Sequence, residues 1–393
     1  MTTGYTPIYR VFKGGEDITG RLNDRTLQIR VDLQSGNGND DQCTILIDDR
    51  DWRVARPLTG ETLQIWLGYQ EVGLAYMGSF EIDDVTFLGP PRNIKLVGKS
   101  TGATDIQKAP TIREFDNKSV SDILGQMAQQ TGLGLSISGD LGALKIPFKN
   151  QVVSNLHMIH ELERMTGAVA KVVDGKLMFA KRDGGETTSG VALPTLVLQP
   201  EHFGTWQVRY TSKPGYGEVK ASWFDKDEMV RKWVGSPVTS GDGGVGLAKK
   251  FGGAFNIGQL FNSEAEAKAA AGSQAENLKR AEVQAVFDLA KGDPWIRDQQ
   301  TLIVTGMRDG INGSYVIDKV THTYIKSTGI KSQMECKLPG DGADYAEASK
   351  EFMRPGPGET LGEYLRTHPN VKRDDLTQRD IDAIAEGGFT TNP

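Results

Sequence analysis

Three stretches have spacings that could carry chemistry. Gly241, Gly243 and Gly246 satisfy G-x-G-x-x-G, but a dinucleotide site needs that pattern at a strand-to-helix turn, where the helix N-terminus meets the pyrophosphate. The neighbouring glycines (GDGGVG, FGG) read instead as a loop. Gly98-Lys99-Ser100 has the ending of a phosphate-binding loop, yet the glycine required upstream is Asn93. His157 and His160 lie three apart with Glu161 following, whereas a zinc protease helix needs histidines four apart with the glutamate between them. Asp48, Asp49 and Asp51 follow a strand-like run. There the short acids are expected to cap a turn by binding local N–H groups. Trp223 and Trp233, near Lys226, Arg231 and Lys232, could stack on sugars or bases. Both sit in alternating strands, which favours sheet packing or a subunit interface. With no Ser/His/Asp, Cys/His or G-x-S-x-G arrangement, no catalytic residue, cofactor or metal is expected, and the chain does not read as an enzyme.

Composition narrows the class. The 393 residues suit two to four domains. Glycine contributes 47 of them, well above the usual proportion of about 7%, as many turns between short strands require. Cys43 and Cys336 are too few for a disulfide scaffold or a four-ligand zinc site and are expected as buried thiols. A formal charge of −6 disfavours a generic nucleic-acid binder. Residues 339–393 hold eleven Asp/Glu against six Lys/Arg, so most of that charge lies in the tail. No apolar run reaches the roughly 18–20 residues of a membrane helix, and residues 1–10 lack a signal-peptide apolar core, so neither export nor a bilayer span is expected.

Short alternating strands fill the first hundred residues, as in Thr62 to Leu67 and Ser79 to Phe87, with the polar loop Gln34 to Asp41 between two of them. A helical period follows. Ser119 and Asp122 form a capping box before Val120, Ile123, Leu124, Met127 and Ala128, and Gly132 ends the helix. The same arrangement returns with Ser154, Met158, Ile159, Leu162 and Gly167, and Asp174-Gly175 marks a tight hairpin. A helix is expected over Ser263 to Lys279, after which strands resume. Gly78 to Thr86 (GSFEIDDVT) is echoed by Gly313 to Thr321 (GSYVIDKVT), with six of nine positions identical and a Thr-Leu strand before each. These patterns predict a β-rich α+β chain with a duplicated β-domain. The boundaries fall at 1–105 and 186–338 for two β-domains, each a barrel or a sandwich, and 106–185 for a small α/β domain with a doubled helix–strand unit. An acidic, Gly/Pro-rich extension occupies 339–393.

At this point the residues resemble a known family. Asp17-Ile18-Thr19, Ile45 to Asp49, Pro57 to Glu61, Leu67-Gly68-Tyr69, Gly78-Ser79-Phe80 and Gly89-Pro90-Pro91, together with Gly313 to His322, are similar to the late-control D tail proteins of contractile phages. The resemblance covers about Thr6 to Leu338. It implies a structural baseplate hub, related to the hub part of type VI secretion spike proteins, with two tail-tube-like barrels per chain. It further implies a homotrimeric, pseudo-sixfold ring between the sixfold tube and the threefold spike. Genomic DNA would pass through the lumen. The tail tube protein, spike, other baseplate proteins and tape measure protein are the implied partners. The virion tail is the implied location, after assembly in the host cytoplasm. Interaction candidates are Asn37, Asn39 and Asp40 in the Gln34–Asp41 loop, Trp223 and Trp233, and Phe352 and Tyr364 in the tail. A tailocin or secretion-machine hub is the nearest alternative. A peptidoglycan-binding or wall-degrading tail protein is the alternative of another class.

Overall fold

The structure is a computed structural model that describes residues 5–35, 40–100, 110–185, 193–211, 216–238, 253–281, 283–308 and 310–339. The first unit contains β1 (Pro7–Lys13), β2 (Glu16–Asp17), α1 (Thr19–Leu22), β3 (Thr26–Gln34), β4 (Gln42–Asp48), β5 (Thr62–Tyr69), β6 (Gly73–Leu88) and β7 (Asn93–Ser100). Period-two burial along β4, β5 and β7 turns Cys43, Ile45, Ile47, Leu63, Ile65, Leu67, Ile94 and Leu96 into one apolar face.

The middle segment contains β8 (Arg113–Ser119), α2 (Val120–Gln130), β9 (Gly134–Ile137), α3 (Gly139–Gly142), β10 (Lys145–Gln151), α4 (Asn155–Thr166), β11 (Ala168–Val173) and β12 (Lys176–Lys181). Ser119 and Asp122 close the expected capping box on α2, and Ser154 caps α4. Gly132 and Gly167 follow the two helices in the left-handed region, at φ +70° and +69°. The two helices share one core with Phe115, Ile146, Val172 and Phe179. Asp174 and Gly175, both at positive φ, turn β11 into β12.

The remainder contains β13 (Leu196–Leu198), β14 (Phe203–Tyr210), β15 (Tyr216–Asp225), β16 (Val230–Pro237), β17 (Gly253–Phe261), α5 (Glu264–Arg280), β18 (Val283–Leu289), β19 (Thr301–Val304), β20 (Gly313–Ile325) and β21 (Gly329–Lys337). These strands divide. β15, β16 and β17 form a separate three-stranded sheet whose inner face packs on Ala267, Ala271, Ala275 and Leu278 of α5. The others join the first unit in a single 13-stranded sheet with one continuous core. The sequence alone groups all of them in one domain, because alternation reports that a strand has a buried face but not which sheet supplies its partner.

Within the large sheet the order β1-β5-β6-β7-β4-β3 is matched by β13-β19-β20-β21-β18-β14. The echo has a geometric counterpart, although β13 runs parallel to β19 where β1 runs antiparallel to β5. Gly78 and Gly313 open the motif at φ +136° and +148°. Phe80 pairs with Leu63 and Tyr315 with Leu302, both rings being fully buried. Each long strand then bulges at the same aligned place, between Ile82 and Asp84 and between Ile317 and Lys319. Even the thiols trade places. Cys43 faces Gly98 in the first unit, while Ala285 faces Cys336 in the second, so each pair joins one thiol to one small residue. Burial raises both thiols, Cys43 to about 12.

Candidate functional site

Of the chemical motifs, Gly98-Lys99-Ser100 lies within or at the end of β7, where Lys99 pairs with Asp83 at 2.6 Å and Ser100 Oγ donates to the Val172 carbonyl. That is a strand, not a phosphate cradle. Asp48 accepts from Arg50 N and Asp49 from Val54 N, as turn caps do. The Arg25 guanidinium grips Asp51 through both oxygens and pulls its carboxyl well below the usual range. His160 Nδ1 lies 3.2 Å from Glu163, and no metal-holding group of three or more His, Cys, Asp or Glu occurs among the described residues. Gly241, Gly243 and Gly246 lie outside the described residues, as do Asn37, Asn39, Phe352 and Tyr364.

Trp223 and Trp233 are separated by their sheet. Trp223 shares the inner face with Val219 and Ala221 and packs toward α5. Trp233 pairs with Ser222 on the opposite face and is half exposed, with the Arg231 guanidinium 4.5 Å from its ring. Asp40 stands at the base of the 34–41 loop, where its carbonyl accepts from Gln34 Nε2. The next residue, Asp41, is buried and lies 3.4 Å from Lys171 Nζ of β11, which also reaches Asp298 at 2.8 Å. Ser35 Oγ donates to Asp298 as well. Burial pulls the Lys171 ammonium down, but the two carboxylates outweigh it and hold its pKa above the ordinary value. Burial pushes Asp41 up to about 6, against the pull of Lys171 and with the repulsion of Asp298. These residues lock the loop base, the middle segment and the stretch before β19 together. Nothing in their spacing along the chain announces it.

His322 is buried and neutral. Its Nε2 is 3.0 Å from the Ile296 carbonyl and its Nδ1 is 2.8 Å from Ser332 Oγ, while burial pulls its pKa down to about 4. Enclosed on all sides, this pair orders the core and offers no nucleophile to solvent.

The main feature of the surface is a joint that is made once and left open once. The second half of β20, Lys319 to Ile325, pairs with Gln34 to Gln28 of β3 and so fuses the two units. The corresponding half of β6, residues 84–88, has a strand partner only in β7 among the described residues. The second unit's equivalent of β3 is β14. Ile29 and Val31 face Ile45 and Cys43 as Trp206 and Val208 face Phe287 and Ala285. β14 pairs only with β18 among the described residues. At the closed joint Ile29, Val31, Val320 and His322 are wholly buried. At the open edges, Phe87 is 54% exposed, Trp206 49% and Tyr210 38%. Large apolar side chains exposed on the inner side of a sheet edge are a liability that proteins usually guard or cover.

No family model matches the chain. It is 22% identical over 376 residues to a probable baseplate hub protein of Escherichia phage P2, spanning 88% of this chain and 97% of the relative. To the probable baseplate hub protein of Escherichia phage 186 it is 23% identical over 381 residues, spanning 89% and 97%. A solved tail protein from Neisseria meningitidis MC58 superposes with a TM-score of 0.62 at 13% identity, covering 86% of this chain and all of that one. A component of the E. coli type VI secretion system gives a TM-score of 0.50 at 9% identity, covering 84% and 76%. The resemblance read from the motifs therefore holds along most of the molecule: this chain is a homologue of the probable baseplate hub proteins of phages P2 and 186 and shares its fold with solved tail proteins and a type VI secretion component.

Proposed function

We propose that the chain is a structural hub of a contractile phage tail baseplate, with three copies closing a ring of six similar β units. The observation that carries this reading is the open joint. If the β20·β3 pairing recurs between chains, β6 of one copy meets β14 of the next, and the register transfers residue by residue. Val85 then faces Tyr210 and Phe87 faces Val208, as Val320 faces Leu33 and His322 faces Val31 within the chain. Phe87 and Tyr210 thereby acquire the cover that their internal counterparts already have, while Trp206 falls opposite Gly89, just past the end of β6. Because the contact is head-to-tail, a closed ring satisfies every edge. With two units per chain, three chains give a threefold ring with pseudo-sixfold faces, suited to a sixfold tube above and a threefold spike below.

In this reading the ring continues the tube lumen, genomic DNA passes through without being held, and the tape measure and other baseplate proteins are neighbours. The chain's place is the virion tail, after assembly in the host cytoplasm. The 34–41 loop, anchored at its base by Asp41, is the candidate contact with the adjoining tube ring. The test is mass measurement and electron microscopy of the chain co-expressed with its spike, beside Phe87→Asp and Val208→Asp. The wild type should give rings of three chains and each variant folded monomers. Rings that survive both substitutions, or a wild type that stays monomeric with the spike present, would remove the support for this reading.

A further inference from the structure

Unpaired strand edges recruit other strands, and proteins usually guard them with charges or proline. β16 has Arg231, Lys232 and Pro237, β14 has Arg209, and β10 has Lys145, Pro147 and Lys149. β17 differs. Its nine residues, GAFNIGQLF, include neither a charge nor a proline, and it pairs only with β15 among the described residues. Leu260 stands half exposed on it.

β17 and β10 line opposite sides of a cleft of about 440 Å³ that is floored by α4 and α5. β10 also has a single partner among the described residues, β8, and Asn262 Nδ2 reaches across to the Phe148 carbonyl at 2.9 Å. At the base of the cleft is Glu266, only 4% exposed. Its Oε2 accepts from Asn262 N at 3.3 Å, and its Oε1 is buried with no hydrogen-bond partner. Of the two strong cations lining the same cleft, Lys149 is bound to Glu161 and Arg164 Nε donates to the His160 carbonyl. A buried carboxylate oxygen without a donor is costly and is relieved by any N–H that reaches it, most of all a charged one. Burial also holds the Glu266 pKa above its usual value, as expected of a carboxylate short of donors.

We propose that the cleft receives an extended segment of a partner protein as an added strand on β17, with a lysine or arginine of that segment reaching Glu266. The main chain of the segment pairs with the unguarded edge, and its basic side chain satisfies the orphaned oxygen. This site does not depend on the ring, since it uses neither β6 nor β14.

The probes are short capped peptides alternating threonine and valine, with lysine, norleucine or glutamate at the centre, titrated by fluorescence anisotropy. The lysine peptide should bind roughly tenfold or more tightly than the norleucine peptide. That preference should vanish in Glu266→Gln. Gly258→Pro lies where the pairing with β15 is already interrupted and should abolish binding of every peptide. Leu260→Lys serves the same purpose if the proline variant melts early. No binding of the lysine peptide, a lysine preference that persists in Glu266→Gln, or binding indifferent to both edge variants would overturn the proposal. So would wild-type self-association that the peptide competes away, because the occupant would then be a second copy of the chain.

Discussion

The buried lysine shared by Asp41 and Asp298 makes a sharp prediction for Asp41→Asn. The triad carries one positive and two negative groups in a dry site, so one carboxylate is held with an unfavourable charge at neutral pH. Asp41 is pushed from 3.8 up to about 6. A carboxyl raised on folding contributes stability that is fully present below its unfolded pKa and is lost as pH climbs through the folded value. At 1.36 kcal/mol per pKa unit, the shift amounts to about 3 kcal/mol between pH 4 and 7.5. Asparagine keeps an oxygen for the Gln34 N–H, which Asp41 Oδ1 accepts at 2.9 Å, and Lys171 keeps Asp298. Asp41→Asn therefore imitates the protonated state at every pH. Urea unfolding of the two proteins, followed by tryptophan fluorescence across this range, reads the effect of the triad, because titrations outside it cancel in the difference. Relative to wild type, the variant should gain about 3 kcal/mol as pH rises from 4 to 7.5. A difference that does not change with pH would refute the reasoning. One that changes in the opposite sense would show that Lys171 needs both carboxylates ionised.

His322 should show the reverse slope. Its pKa falls from 6.5 to about 4, so the stability it contributes is present above pH 6.5 and lost as pH falls toward 4. The same urea titration of His322→Gln should remove about 3 kcal/mol of that dependence. Gly78→Ala and Gly313→Ala each place a Cβ on backbone at strongly positive φ. Each should lower stability by about 1–3 kcal/mol in thermal or urea unfolding, and the two losses should be similar. A large loss at one glycine and none at the other would separate the two motifs functionally.

Local signals in the sequence predicted local structure well. The capping pair Ser119 and Asp122, the second cap at Ser154, the Asp174-Gly175 turn and the α5 helix all depend on residues a few positions apart, and they stand where the pattern put them. The echo also pointed to a real equivalence, since Gly78 with Phe80 and Gly313 with Tyr315 occupy matching places in matching strand orders. What escaped the sequence is long-range. Val31 meets His322 and Asp41 meets Lys171 across most of a domain or more of chain. Alternation alone cannot say which sheet a strand enters, so β15, β16 and β17 could not be separated from their neighbours. Nor could charge counting identify Lys171 or Glu266. A buried ion and a solvated one are the same letter until their surroundings are known.

The fusion of the two units through β20 and β3 has a mechanical meaning. The seven residues of that seam run antiparallel, side by side, so sliding one unit past the other strains all their cross-strand bonds together. Load along the strands is thus shared, and the halves of one chain move as a rigid plate with no hinge at the seam. In the proposed ring, any flexing between plates would then occur where one polypeptide meets the next. In a device that is driven forward by a contracting sheath, such plates would pass thrust on without folding up, and failure under overload would begin at the seams between chains.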